Sequence, residues 1–248
     1  MDMTVLVIVL GAVVAGFVQG LSGFAFGLVA MSFWAWVVNP QLAAALAVFG
    51  ALTGQVIAAV TVRRGLNMRT LLPFIAGGLS GVPIGVYVLP YLNVDLFKAC
   101  LGILLAVWCP IMLAAHRLPP IRAGGRAADG IAGIIGGIMS GLGGFAGAIP
   151  TLWCTLRGME KDTQRSVIQN FNLATLIVTM TTYLFTGVIN REMLPMFAIV
   201  APAILIPSLL GARLYIGISE ANFRKLVLSL LTASGIALLA SSVPRLLA

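Results

Sequence analysis

A six-residue phrase, Gly20-Leu21-Ser22-Gly23-Phe24-Ala25, returns 121 positions later as Gly141-Leu142-Gly143-Gly144-Phe145-Ala146, each time inside a long apolar stretch. Glycine at such a place frees backbone N–H and C=O groups that hydrocarbon cannot satisfy. The interruption is tolerated only where it is buried in protein or lines a cavity. Paired Gly-interrupted segments at corresponding places in two halves mark a substrate site near the middle of a membrane. The chain therefore reads as two copies of one membrane unit.

Composition agrees with a lipid environment. The 248 residues are 60% hydrophobic and 9% charged, whereas soluble domains carry roughly 25% charged residues. Eight apolar segments lie near 3–38, 41–62, 70–90, 96–115, 130–156, 166–187, 193–216 and 223–244, the length scale of membrane spans. The net charge of +8 does not point to nucleic acid, because Lys and Arg sit in short loops between the segments, where they report topology. No basic n-region precedes the first stretch and no small-residue cleavage site ends a short h-region, so the first helix is expected to be retained. Cys100, Cys109 and Cys154 lie inside apolar segments without metal-ligand spacing and read as small core residues. His116, the one histidine, stands at a segment end. Nothing calls for a metal or a cofactor.

The first segment is far longer than one span needs, and its glycine phrase falls near the middle, which predicts two short helices joined by a break. The fifth, interrupted at Gly136-Gly137, Gly141, Gly143-Gly144, Gly147 and Pro150, reads as the same device. If all eight segments crossed once, alternate loops would carry eight Lys and Arg against seven. If segments 1 and 5 are hairpins that enter and leave on one side, only Lys98, Arg191 and Arg245 face outward and the other twelve of the 15 face inward, as the positive-inside rule requires. That arrangement predicts an all-α polytopic membrane protein with both termini outside, built of two inverted repeats, each with one broken-helix hairpin plus three transmembrane helices. The repeats span 1–115 and 130–248, and the Pro- and Gly-containing linker 116–129 interrupts the helix between them.

The seven carboxylates, Asp2, Asp95, Asp129, Glu160, Asp162, Glu192 and Glu220, lie at or near segment ends, so no buried acidic relay is visible. No HExxH and no Ser-His-acid set can be assembled, which argues against an enzyme. Inside the segments stand Gln19, Ser22, Thr53 and Gln55, then Ser140, Gln169, Asn170, Asn172 and Thr175. Uncharged hydrogen-bonding groups beside the N-termini of half-helices suit an anion, although the same residue types also pack helices together in lipid. Ser22, Gly23, Gln55, Gly144, Asn170 and Asn172 are the candidate substrate-binding residues. Phe49 matches Phe171 and Thr53 matches Thr175, which aligns Val48 with Asn170 and Gly50 with Asn172. The second half thus supplies more of the polar groups. Arg165 and Arg213, the basic residues closest to apolar segments, either snorkel to the interface or steer an anion toward the site.

These residues resemble the sulfite exporter TauE/SafE family, also called the toluene sulfonate uptake permease family, over nearly the whole chain. The resemblance lies in a Gly-rich broken segment opening each half (Gly20 to Gly27; Gly141 to Pro150), followed by a helix rich in small and polar residues from Asn39-Pro40 and from Asp162-Thr163. Later come a Pro/Gly segment (Pro83, Gly85; Pro207, Gly211) and a Phe-basic helix start (Phe97-Lys98; Phe223-Arg224). Ser22, Phe26 and the Val29 that stands in the place equivalent to Pro150 depart from the pattern. The resemblance implies a bacterial cytoplasmic-membrane transporter for a small sulfur-containing anion such as sulfite, sulfoacetate, thiosulfate or an organosulfonate. Its coupling ion would be a proton or sodium. The rival readings are an anion channel of the same architecture and a non-transporting membrane subunit that docks a partner through its basic inner loops.

Overall fold

The computed structural model describes residues 2–22, 25–61, 67–115, 118–121, 123–214 and 220–247, the side chains at 61, 212–214, 220 and 221 excepted. Helices follow one another in the order α1 (Met3–Ser22), α2 (Phe26–Trp34), α3 (Pro40–Thr61), α4 (Met68–Val88), α5 (Val94–Ala114), α6 (Gly125–Gly143), α7 (Ala148–Leu156), α8 (Lys161–Thr186), α9 (Leu194–Leu214) and α10 (Glu220–Leu247), and the described residues form no strand. Asparagine starts several of them. Asn39, Asn67 and Asn93 each accept the N–H of the residue three positions on, at 2.8, 3.3 and 2.7 Å, the usual N-cap bond, and Pro40 occupies the first turn of α3 where its missing N–H costs nothing.

All eight apolar segments correspond to helices, the first and fifth to a helix pair each. The expectation of two short helices in each needs correction. α1 has 20 residues and α6 has 19, whereas α2 and α7 have nine each. Nine residues rise about 14 Å, half of the hydrocarbon core, while 20 rise about 30 Å. Among the described residues six helices are long and apolar enough to cross a membrane: α1, α3, α4, α5, α9 and α10. The 26-residue α8 is not one of them; it carries Lys161, Asp162 and Arg165 in its first turns. α6 starts at Gly125, inside the stretch read as linker.

The fifth segment is also less broken than its glycines suggest. α6 runs unbroken through Gly136, Gly137 and Gly141, because several of its glycines are contact surface. A Cβ on Gly133, Gly137 or Gly141 would stand 2.3 Å from Phe74 O, 2.1 Å from Gly78 O and 2.6 Å from Val86 N of α4. Conversely, a Cβ on Gly77, Gly81 or Gly85 of α4 would stand 2.1, 2.2 and 2.1 Å from the carbonyl oxygens of Gly130, Ile134 and Ile138. Two stripes of glycine at four-residue spacing therefore let the backbones touch, as small residues do wherever helices associate in lipid.

Helix pairing crosses between the halves. The largest contacts are α4 with α6, α5 with α10 and α1 with α9, and α3 lies against α8. α5 and α10 run antiparallel: Asp95 at the start of α5 reaches Arg245 at the end of α10 (3.8 Å), and Arg224 near the start of α10 donates to Met112 O near the end of α5 (3.2 Å). Eight single crossings would have put Asp95 and Arg245 on opposite sides of the membrane.

Candidate functional site

The two chain breaks meet. Gly27, in the first turn of α2, lies so close to the second break that a Cβ there would stand 2.8 Å from Gly144 O. Gly144 is left-handed (φ +75°), and its other side lies on the α3 backbone, where a Cβ would be 3.1 Å from Val48 N. Glycine serves here both for the positive φ and for the close approach. The left-handed residue ends α6, with Gly144 N and Phe145 N donating back to Ser140 O (2.9 Å) and Met139 O (3.3 Å).

At the first break a side chain does this work. Gln19, 3% exposed, accepts the Phe26 N–H that opens α2 (3.0 Å) and donates to Ala51 O of α3 (3.1 Å). It ties α1, α2 and α3 together where the chain turns. Each short helix is also pinned at its far end by an indole. Trp34 Nε1 donates to Ile8 O (3.0 Å), and Trp153 Nε1 donates to Asp129 Oδ1 (2.8 Å), which Arg157 binds as well at 2.7 Å. Asp129 is only 3% exposed, so this segment-end carboxylate is a buried, paired one that fastens α7 against α6. These bonds make both breaks hairpins.

Beside the breaks, between α1, α2, α5, α7, α8 and α10, lies a cavity of about 310 Å³. Among the described residues, Lys161, Arg165 and Arg224 line it against a single carboxylate, Asp162. Further polar groups come from the exposed Ser22 at the end of α1, half-buried Gln164 of α8, and the buried Thr151 of α7 and Gln169 of α8, while Trp108, Phe223 and Leu28 form apolar walls. Gln164 Nε2 donates to Thr155 Oγ1 (2.9 Å), and Trp108 Nε1 donates to Ala148 O at the start of α7 (2.9 Å). Two buried polar atoms among the described residues have no partner, Thr151 Oγ1 and Asn172 Oδ1. Thr151 lines the cavity, and Asn172, one turn beyond Gln169 on α8, lies against Gly147, where a Cβ would be 2.8 Å from its amide nitrogen. Orphaned polar groups cost about 1–3 kcal/mol each, so the Thr151 hydroxyl marks a point on the cavity wall where water or a ligand completes the structure; Asn172 is not a lining residue.

Of the candidates read from sequence, Ser22 and Arg165 line the cavity. Gly144 lies at the meeting of the breaks, and Asn172 is buried behind Gly147. Gln55 is buried on α3 and Asn170 is half-buried, its Nδ2 donating to Ser166 O of its own helix (2.9 Å); neither is a cavity residue. Gly23 and the side chain of Arg213 lie outside the described residues. Cys109 and Cys154 are buried as expected, but Cys100 is exposed. Sequence reasoning missed Lys161, Arg224, Gln164 and Thr151 as site residues. Arg224 leaves a trace in the recurrence of Phe97-Lys98 as Phe223-Arg224; Lys161 lies before the helix start at Asp162-Thr163, and Gln164 falls within that helix but outside the apolar run.

A bundle of apolar helices, six of them long enough to cross a membrane among the described residues, defines a polytopic membrane protein. The chain belongs to the Sulfite exporter TauE/SafE family, whose family model matches residues 8–238. No curated protein and no solved structure matches the chain.

Proposed function

We propose that the chain is a secondary transporter that carries a small sulfur-containing anion, such as sulfite, thiosulfate, sulfoacetate or another organosulfonate, across the cytoplasmic membrane by alternating access. The observation that carries the reading is the cavity itself, among the described residues three cations against one carboxylate at the edge of the first chain break. A guanidinium presents a planar fork to tetrahedral oxygens and keeps its charge at any physiological pH. A site of a few hundred Å³ is the size class of small-ligand pockets, and the Trp108 and Phe223 walls suit an organic tail.

The architecture is read as two inverted repeats, 1–115 and 130–248, joined by a linker. Matched helices α5 and α10 lie antiparallel, and the pairing of α4 with α6 recurs as that of α9 with α1, both as an inverted repeat requires. The charge count assigns both termini to the outside and the cavity to the cytoplasmic side. Backbone-to-backbone packing of Gly27 on Gly144 and of Gly144 on Val48 favours a carrier over an open channel. The coupling ion, proton or sodium, is to be read from flux under imposed gradients.

The test is a thermal-shift screen of the purified protein against sulfite, sulfate, thiosulfate, sulfoacetate, taurine, an aryl sulfonate and small carboxylates, repeated with Arg224→Gln. A ligand at a hundred times its Kd stabilises by about 2.7 kcal/mol. The expected result is a shift confined to sulfur oxyanions or sulfonates and lost in the variant. Silence toward every anion in a monodisperse sample, with no flux of radiolabelled sulfite in proteoliposomes, would overturn the reading.

A further inference from the structure

Lys98 is the counterpart of Arg224. Leu96-Phe97-Lys98 opens α5 as Asn222-Phe223-Arg224 opens α10, and because the two helices are antiparallel, the two cations lie near opposite ends of the pair. Their surroundings differ. Arg224 is half-buried and lines the cavity together with Phe223. Lys98 is 7% exposed and Phe97 3%, and the Lys98 ammonium lies 5.3 Å from the centre of the Trp36 ring, in the turn between α2 and α3.

Lysine is seldom buried unless paired, because burial strips its hydration. Among the described residues no carboxylate is within ion-pair distance of Lys98. Asp95, one turn away on the same helix, reaches Arg245 instead. The aromatic face supplies attraction for the cation, and the indole that supplies it is 43% exposed.

We propose that Lys98 is a second anion-binding residue for the transported species, serving the face opposite the Arg224 cavity, and that Trp36 occupies the anion's place while that face is closed. The ligand is of the same class, a small oxyanion or sulfonate, and the inference rests on the transport reading above. When the halves exchange roles, Trp36 withdraws, Lys98 gains a negative partner in place of a ring, and Arg224 takes the covered position. Each face then has its own cation for capture.

The experiment uses the full chain, oriented in proteoliposomes, with radiolabelled sulfite or thiosulfate supplied from one side at a time. Lys98→Gln is expected to raise the half-saturating concentration about tenfold from the Lys98 face, as loss of one charge-assisted contact does, with little change from the other face. Arg224→Gln should do the reverse, Lys98→Arg should restore capture, and Trp36→Leu should lower the half-saturating concentration at the Lys98 face alone. Should Lys98→Gln fail to fold, Trp36→Leu decides: an unchanged half-saturating concentration at the Lys98 face overturns the proposal. So does a folded Lys98→Gln protein whose two faces respond equally or not at all. If the unaltered protein carries neither anion, it is the transport reading that falls, and this inference with it.

Discussion

Replacing Gly81 by alanine tests whether the glycine stripes set the distance between α4 and α6. The new Cβ would stand 2.2 Å from Ile134 O and 2.9 Å from Ile138 N, where ordinary contact begins at 3.4 Å. Both neighbours are helix backbone and cannot rotate away. The helices must therefore part locally by about 1.2 Å, the difference between 3.4 and 2.2. Overpacking of this kind costs about 1–3 kcal/mol, and a gap approaching 1 Å forfeits a quarter to a half of each dispersion contact along the rest of the seam. Alanine returns about 0.5–1 kcal/mol through its better helix propensity. The expected net loss for Gly81→Ala is about 2 kcal/mol. Gly130→Ala is the control, in the same helix pair but with only Pro73 O nearby at 3.7 Å. There the propensity gain stands alone, and the protein should become more stable by about 0.5 kcal/mol. Thermal unfolding in one detergent, followed by tryptophan fluorescence, compares the two. Equal effects of the two substitutions would refute the close-contact argument.

Thr151→Val removes a buried hydroxyl that has no partner, so stability should hold or rise by up to about 1 kcal/mol, while the half-saturating concentration of the transported anion rises; unfolding and flux measured on one preparation check both. Gln19→Leu orphans the Phe26 N–H at the first break and removes the extra bond to Ala51 O, and should cost about 1–3 kcal/mol in thermal unfolding. Arg157→Leu leaves Asp129, 3% exposed, without its cation and should cost about 3 kcal/mol. Adding Asp129→Leu should recover about 2 kcal/mol of this, a coupling that a double-mutant cycle in mixed detergent micelles reads directly.

Helix positions were legible in sequence because hydropathy and charged punctuation report the bilayer. The role of each glycine was not. Gly137 and Gly144 look alike in sequence, yet Gly137 is pressed against Gly78 inside a continuous helix and Gly144 turns the chain at φ +75°; only the partner helix distinguishes them. Arg165 stood out as a cation near an apolar segment, but the cavity's other cations were hidden for a related reason. Lys161 lies before the apolar run and one residue ahead of the helix start at Asp162-Thr163, but α8 begins with it, so a charge that reads as punctuation belongs to a helix wall. Asp129 was placed correctly at a segment end, but its burial depends on Trp153 and Arg157 returning from 24 and 28 residues away. No local pattern announces that return.

The unequal share of polar groups between the halves has a packing explanation, and it can be tested by transplantation. In the first half Phe26 stands against Gly50, where a Cβ would be 2.2 Å from the ring. At the aligned positions of the second half the sizes are exchanged: Gly147 makes room and Asn172 fills it. Both arrangements satisfy the same space between hairpin and neighbouring helix, but only the second brings an amide, whose Oδ1 is left unpaired. The double substitution Gly147→Phe with Asn172→Gly copies the first-half solution into the second. If the frame is shared and the amide serves the ligand, the variant should fold and insert with a Tm lowered by overpacking, because the ring is larger than the amide it replaces and a glycine enters the helix interior, together costing about 2–4 kcal/mol. Its sulfite-dependent thermal shift should then disappear. A variant that folds and keeps the full shift would show that Asn172 contributes packing alone, and would confine the anion site to Thr151, Ser22 and the three cations of the cavity.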